Sequence, residues 1–150
     1  MFLSQTAEYA IRAMSAIATL PPGELVRASD LVESTGIPPS YLSKILRRLV
    51  LAELLVSQKG KNGGFALSRP AGRIRFIEIL YAVNAFPAEG RCAFGWGLCD
   101  SVKPCPLHGP WRRLKDRVQD WADNTTLAEV AEAAKFDQRV QLPTGKASGG

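Results

Sequence analysis

The sequence predicts a mainly α-helical fold with one small β-hairpin: a winged helix-turn-helix domain followed by a long C-terminal dimerisation helix. Three observations predict it. Two short amphipathic stretches meet at a glycine-containing turn between residues 27 and 51. A glycine-rich segment with lysines at its tip follows at once, and a single helical stretch at 108–124 carries a narrow apolar seam.

The elements follow in chain order. In SQTAEYAIRAMSAIATLPPG, residues Ala7, Ala10, Ile11, Met14, Ile17 and Ala18 recur at helical spacing, Ser4 caps the start and Pro21-Pro22-Gly23 ends it. RASDLVESTG places Ala28, Leu31 and Val32 on a short helix closed by Gly36. IPPSYLSKILRRLVLAELL opens on Pro38-Pro39, suited to a first helical turn, and lines up Leu42, Ile45, Leu46 and Leu49 as one stripe. Two helices joined by a tight turn make a helix-turn-helix. LLVSQKGKNGGFALSR has an apolar run at 54–56, a turn with Gly60, Gly63 and Gly64, then alternating Phe65 and Leu67, which is a hairpin. RIRFIEILYAVNAF supplies another helix through Ile74, Ile77, Leu80 and Tyr81.

The face of the second helix opposite its apolar stripe holds Ser40, Lys44 and Arg47, with Tyr41 and Arg48 on one flank and Ser43 on the other. A helix with its back in a core and Ser, Lys and Arg in front can enter a DNA major groove. The hairpin tip adds Lys59 and Lys61. Its glycines are expected to bring backbone N–H groups close to a phosphate. Charge agrees: the net +5 of the chain lies wholly in residues 1–75, and residues 39–75 hold eight bases against the single acid Glu53. A polyanion is the expected partner.

Composition excludes other classes. With 46% hydrophobic residues the chain can bury a core. No apolar run reaches the ~18 residues of a membrane span, and the start lacks the features of a signal peptide. A cytoplasmic location without membrane contact is therefore expected. No carboxylate pair, phosphate loop or nucleophilic triad points to an enzyme.

All three cysteines, Cys92, Cys99 and Cys105, and the one histidine, His108, fall within RCAFGWGLCDSVKPCPLHGPW. Reduced cytosolic thiols and an odd count argue against a disulfide framework. The spacing C-x6-C-x5-C-x2-H in a Gly/Pro-rich loop suits zinc or an iron–sulfur cluster. Beyond the loop, Trp111, Leu114, Val118 and Trp121 recur at 3-4-3 spacing among charged residues, a seam fit to pair with a second copy or to pack on its own domain. Thr126 and Glu129 form a possible capping box for a last short helix.

Together the opening MFLSQTAEYAIRAM, GIPPSYLSKILRRL, KGKNGGFALSR, the C…C…CPLHGPW loop and TTLAEV resemble the IscR/NsrR-type family of winged-helix repressors that sense through an iron–sulfur cluster. The likeness covers about residues 1–135. It implies a homodimer crossed through the long helix and a pseudo-palindromic double-stranded DNA operator. It implies a 2Fe-2S or 4Fe-4S cluster on Cys92, Cys99 and Cys105. His108 matches the fourth ligand of the IscR branch; other branches use an acidic residue from the partner's first helix, and Glu8 stands at that position. Six residues separate the first two cysteines, where the IscR branch has five.

The expected organisation is a DNA-binding domain at 1–87, a cluster loop at 88–107, the dimerisation helix and a short helix at 108–135, and a disordered tail at 136–150. The resulting function is a dimeric DNA-binding regulator, a repressor by resemblance, sensing redox state, nitric oxide or iron–sulfur supply. The alternatives are the same dimer with structural zinc, or a zinc Cys3His module that binds RNA.

Overall fold

The computed structural model describes residues 3–86, 91–99 and 102–137. Among these residues six α-helices, one 3-10 turn (Ala71–Arg73) and one two-stranded sheet form the mainly helical, winged helix-turn-helix architecture expected from the sequence. The helices are α1 (Gln5–Ala18), α2 (Ala28–Thr35), α3 (Pro39–Leu51), α4 (Phe76–Ala82), α5 (His108–Asn124) and α6 (Leu127–Ala134). The strands β1 (Leu55–Gln58) and β2 (Gly64–Leu67) pair antiparallel, with Leu55 opposite Leu67 and Gln58 opposite Gly64.

Helix α1 starts where Ser4 accepts a hydrogen bond from the Ala7 N–H at 3.2 Å. It is the central element, packing against α2, α3, α4 and α6. Its small residues Ala7, Ala10, Ala13 and Ala16 are buried, which lets neighbouring helices approach closely. Gly36 ends α2 in the left-handed region at φ 69°, and its N–H returns to Val32 O at 2.9 Å. Pro39 opens α3, whose buried residues are Leu42, Ile45, Leu46 and Leu49, the stripe read from the sequence. The core continues through Leu54, Leu55, Ile74, Ile77, Ile79 and Leu80.

Residues 74–76 and 123–127, far apart in the chain, are stitched together behind this unit. The Phe76 N–H donates to Thr125 O at 2.9 Å and the Leu127 N–H to Ile74 O at 3.0 Å. Arg75 reaches Asp123 at 3.3 Å. The C-terminal end of α5 is thereby fixed to the start of α4, and Ala122 is fully buried. Thr126 does stand at the N-cap of α6, but its side chain makes no capping hydrogen bond, so the expected capping box does not form. The comparable contact is at α4, where Glu78 accepts from the Arg75 N–H at 2.9 Å. Among the described residues no helix is long and apolar enough to cross a membrane. The greater part of the expected disordered tail, from residue 138 on, lies outside the described residues, as do residues 87–90 and 100–101 of the loop region.

Candidate nucleic-acid interface and cysteine cleft

Helix α3 turns its apolar stripe inward, which leaves Ser40, Tyr41, Ser43, Lys44 and Arg47 exposed on its outer face. The Tyr41 ring meets Tyr9 of α1 edge-on, with centroids 6.2 Å apart. Arg48 is placed differently from its neighbours: it donates to Val83 O at 3.2 Å, tying α3 to the C-terminal end of α4. A groove of ≈ 290 Å³ between α3 and the hairpin is lined by Ser43, Arg47, Ser57 and Phe65 among others. Lys59 and Lys61 lie at the exposed hairpin tip.

Ion pairing sorts the basic residues by place. At the back of the domain Arg69 pairs with Glu78, and Arg75 with Asp123. Among the described residues Lys44, Arg47, Lys59 and Lys61 have no carboxylate partner within 4.0 Å. Unpaired positive charge therefore sits on the outer face of α3 and on the hairpin tip, and among the described residues Arg73 and, on α5, Arg113, Lys115 and Arg117 likewise have no carboxylate partner. The group on α3 and the hairpin tip lies where a phosphate backbone can meet it.

The hairpin is more firmly held than the sequence indicates. Val26, just before α2, forms a bridge to Phe65: Val26 N–H to Phe65 O at 2.9 Å and Phe65 N–H to Val26 O at 2.8 Å. This close approach explains Gly64, where a Cβ would stand 2.5 Å from Val26 O. At Gly63 a Cβ would stand 2.0 Å from Gln58 O. Both glycines let the chain approach itself, and the Gly63 N–H is spent on Gly60 O at 3.0 Å. Arg27, absent from the sequence-derived set, donates to Lys61 O at 2.6 Å across a separation of 34 residues. It lies outside the basic segment 39–75, and no local pattern points to it.

The loop before α5 folds as a small turn structure. Cys92 N–H donates to Gly97 O at 3.0 Å, Arg91 bridges Leu98, and Gly95 and Gly97 take φ of 81° and 84°. This brings Cys92, Cys99, Cys105 and His108 to one cleft, walled by Phe94, Leu98 and Trp111. Cys99 Sγ lies 3.4 Å from His108 Nδ1. The Cys92 thiol is held below the usual thiol range, chiefly by the backbone N–H of Phe94, then by that of Trp96, with the Cys105 side chain and the Gly95 N–H adding to it against the opposing effect of burial. Of the four soft donors, Cys99 and His108 are in direct contact. Among the described residues no three His, Cys, Asp or Glu side chains converge at metal-binding spacing. The donor chemistry suits a thiolate-held metal group, and among the described residues no carboxylate or ammonium lines the cleft. Glu8 is engaged elsewhere in its own chain, with Arg12 at 2.5 Å.

The seam of α5 divides in two. Val118 packs against the core, and the Trp121 ring meets Phe76 edge-on at 5.5 Å. Trp111 meets Phe94 of the cysteine loop at 5.7 Å. Leu114, 44% exposed, has its apolar surface turned to solvent.

A helix-turn-helix whose second helix presents unpaired bases, backed by a basic wing, defines a winged-helix DNA-binding transcriptional regulator. Comparison with known proteins then fixes the family. The model described as "Rrf2: Iron-dependent Transcriptional regulator" matches residues 3–133, and the chain belongs to the Rrf2 family. A Mycobacterium tuberculosis protein bearing the name HTH-type transcriptional regulator Rv1287 is 35% identical over 142 residues, 95% of this chain and 88% of its own. The HTH-type transcriptional regulator IscR of Cronobacter sakazakii is 35% identical over 130 residues, 87% of this chain and 80% of its own. In fold the chain is similar to CymR, the global cysteine regulator of B. subtilis, with TM-score 0.72 at 20% identity over 87% of this chain and 96% of that one. It is also similar to T. potens IscR, with TM-score 0.70 at 23% identity over 88% and 87%. The protein is a DNA-binding transcriptional regulator and not an enzyme.

Proposed function

We propose that the protein is a homodimeric regulator whose affinity for a pseudo-palindromic operator is set by an iron–sulfur cluster on Cys92, Cys99 and Cys105. The observation that carries this reading is the cleft at the base of α5, which all three thiols of the chain and its one imidazole line. Relatives named IscR and a family described as iron-dependent support it. His108, beside Cys99, is the fourth ligand within the chain; Glu8 of the partner subunit is the alternative. A bound cluster, 2Fe-2S or 4Fe-4S, would supply reactivity toward oxidants and nitric oxide.

The chain's own residues connect the cleft to the DNA face. The His108 N–H donates to Cys105 O at 3.0 Å, so the third thiol is coupled to the first turn of α5. The far end of α5 is bound to α4 through Arg75–Asp123 and Phe76–Thr125. From α4, Val83 O accepts from Arg48 of α3. A change in loop conformation therefore has a packed, hydrogen-bonded route to the recognition helix. In a dimer, Trp111 and Leu114 of α5 face the second copy, and Ser40, Tyr41, Ser43, Lys44 and Arg47 of each copy face base edges and phosphates of one half-site. Half-sites of such dimers lie about one helical turn, ~34 Å, apart, so small changes in helix spacing alter affinity.

The test is anaerobic purification with visible absorption and iron and sulfide analysis. Absorption near 400 nm that disappears in Cys92→Ala, Cys99→Ala and Cys105→Ala supports the reading. A colourless zinc protein whose DNA affinity is independent of metal would reject it.

A further inference from the structure

We propose that Arg27 is a DNA-contacting residue: its guanidinium holds the wing tip with one N–H and presents the others to a backbone phosphate beside Lys61. This rests on the DNA-binding face described above and adds to it a residue from a different part of the chain. Arg27 stands between the Val26–Phe65 bridge and α2, so its backbone is fixed to the wing. Its side chain is exposed and makes one hydrogen bond, to Lys61 O at 2.6 Å. An arginine carries five N–H donors in a planar fork. Among the described residues no carboxylate and no second acceptor engages the remaining donors of Arg27.

The surroundings fit an anion. Arg27 and Lys61 line an open groove of ≈ 580 Å³ together with Ser57, Gln58, Gly60 and Gly63, and among the described residues no acidic residue lines it. The neighbouring groove, sharing Ala28, Ser57 and Phe65, leads to Ser43 and Arg47 on α3. A phosphate backbone leaving the recognition helix toward the wing would pass Arg27. Guanidinium suits the position because one edge of the fork can satisfy a carbonyl while another meets a phosphate oxygen. A lysine ammonium, a point charge on a flexible stem, would keep the attraction and lose the wing contact.

The test uses the full-length protein and fluorescence anisotropy with a 30-base-pair random-sequence duplex, titrated between 50 and 200 mM salt. Each phosphate contact contributes about 0.9 to the slope of log K against log salt. Arg27→Ala and Arg27→Gln are expected to lower the slope by about 0.9, so their affinity deficit shrinks about 3.5-fold across that fourfold range of salt. Arg27→Lys is expected to keep the slope. The same loss is expected when Arg27→Ala is added to the Lys59→Ala/Lys61→Ala double variant. If the added substitution then changes nothing, Arg27 acts only by holding the wing lysines and the phosphate contact is refuted. An unchanged slope in Arg27→Ala and Arg27→Gln, with the wing-lysine variant still flattened, refutes it as well while leaving the winged-helix reading intact. Arg27 is exposed and its replacement leaves the core untouched, so circular dichroism melts matching wild type are expected for all three variants.

Discussion

Gly64→Ala offers a direct check on how the wing is held. The new Cβ would stand 2.5 Å from Val26 O and 2.8 Å from Val26 C, both backbone atoms that cannot rotate away. Ordinary contact begins at 3.4 Å, so the strands must part by about 0.9 Å, the difference between 3.4 and 2.5 Å. The Val26–Phe65 hydrogen bonds, now 2.9 and 2.8 Å, would then stretch beyond useful length. Losing two such bonds costs about 1–3 kcal/mol net, at roughly 0.5–1.5 kcal/mol each. The disturbance reaches the core only at its edge, where Val26 is buried and Phe65 packs against it, and Leu42, Leu46, Leu49 and Ile77 lie elsewhere. The effect is therefore local opening of the wing. Amide hydrogen exchange reads it: protection of the Phe65 N–H should fall roughly 5- to 150-fold, the same free energy expressed as an opening constant. DNA affinity should fall in parallel, because Lys59, Lys61 and Arg27 lose their fixed relation to α3. Wild-type protection at Phe65 together with wild-type DNA affinity in Gly64→Ala would refute the reasoning.

Other consequences can be read with simple assays. Lys59→Ala/Lys61→Ala should weaken binding to all duplexes and flatten its salt dependence by about 0.9 per lost phosphate contact, whereas Ser40→Ala or Lys44→Ala should change sequence preference by roughly 1–3 kcal/mol per lost base contact; a selection on random duplexes separates the two. Leu114→Asp, at a solvent-facing seam position, should give a folded monomer that loses operator binding, checked by light scattering, and a dimer of wild-type affinity would exclude α5 as the interface. His108→Ala should shift the visible spectrum if His108 is the fourth ligand, and Glu8→Ala should do so if the partner's Glu8 is.

Local periodicity made much of the fold legible. The stripe Leu42, Ile45, Leu46 and Leu49 fixed which face of α3 is outward, and the 3-4-3 pattern from Trp111 to Trp121 lies wholly within α5, whose observed bounds are His108–Asn124. Gly36 and Ser4 marked helix ends because capping is a property of a few adjacent residues. Contacts made across the sequence were not legible. Arg48 lies by helical angle on the flank of the DNA face and stays exposed, yet its hydrogen bond to Val83 O, a carbonyl 35 residues away, had no sign in the sequence. Val26 and Arg27 meet the wing at Phe65 and Lys61 with no pattern of their own to announce it. The wing glycines were read as room for a phosphate; at Gly63 and Gly64, though not at Gly60, Gln58 O and Val26 O already fill the space a Cβ would take. The Thr126–Glu129 motif was present in sequence without its hydrogen bond, and Leu127 is anchored instead through its N–H to Ile74 O. Spacing placed the cysteines and the histidine in one short stretch, but it could not give the contact between Cys99 and His108 across the start of α5.

The most direct measurement compares operator affinity of anaerobically purified protein with that of the same protein stripped of metal by chelation. The duplex is one selected from a random library by the wild type, and iron and sulfide are counted in each sample. A coloured protein with iron and sulfide present, whose affinity differs from that of the stripped form by roughly 5- to 150-fold, the usual range of coupling between two sites, is the predicted result. Equal affinity of the two forms on every selected duplex would contradict the coupling of Cys92, Cys99 and Cys105 to the DNA face, and leave the cleft as a structural clasp at the base of α5.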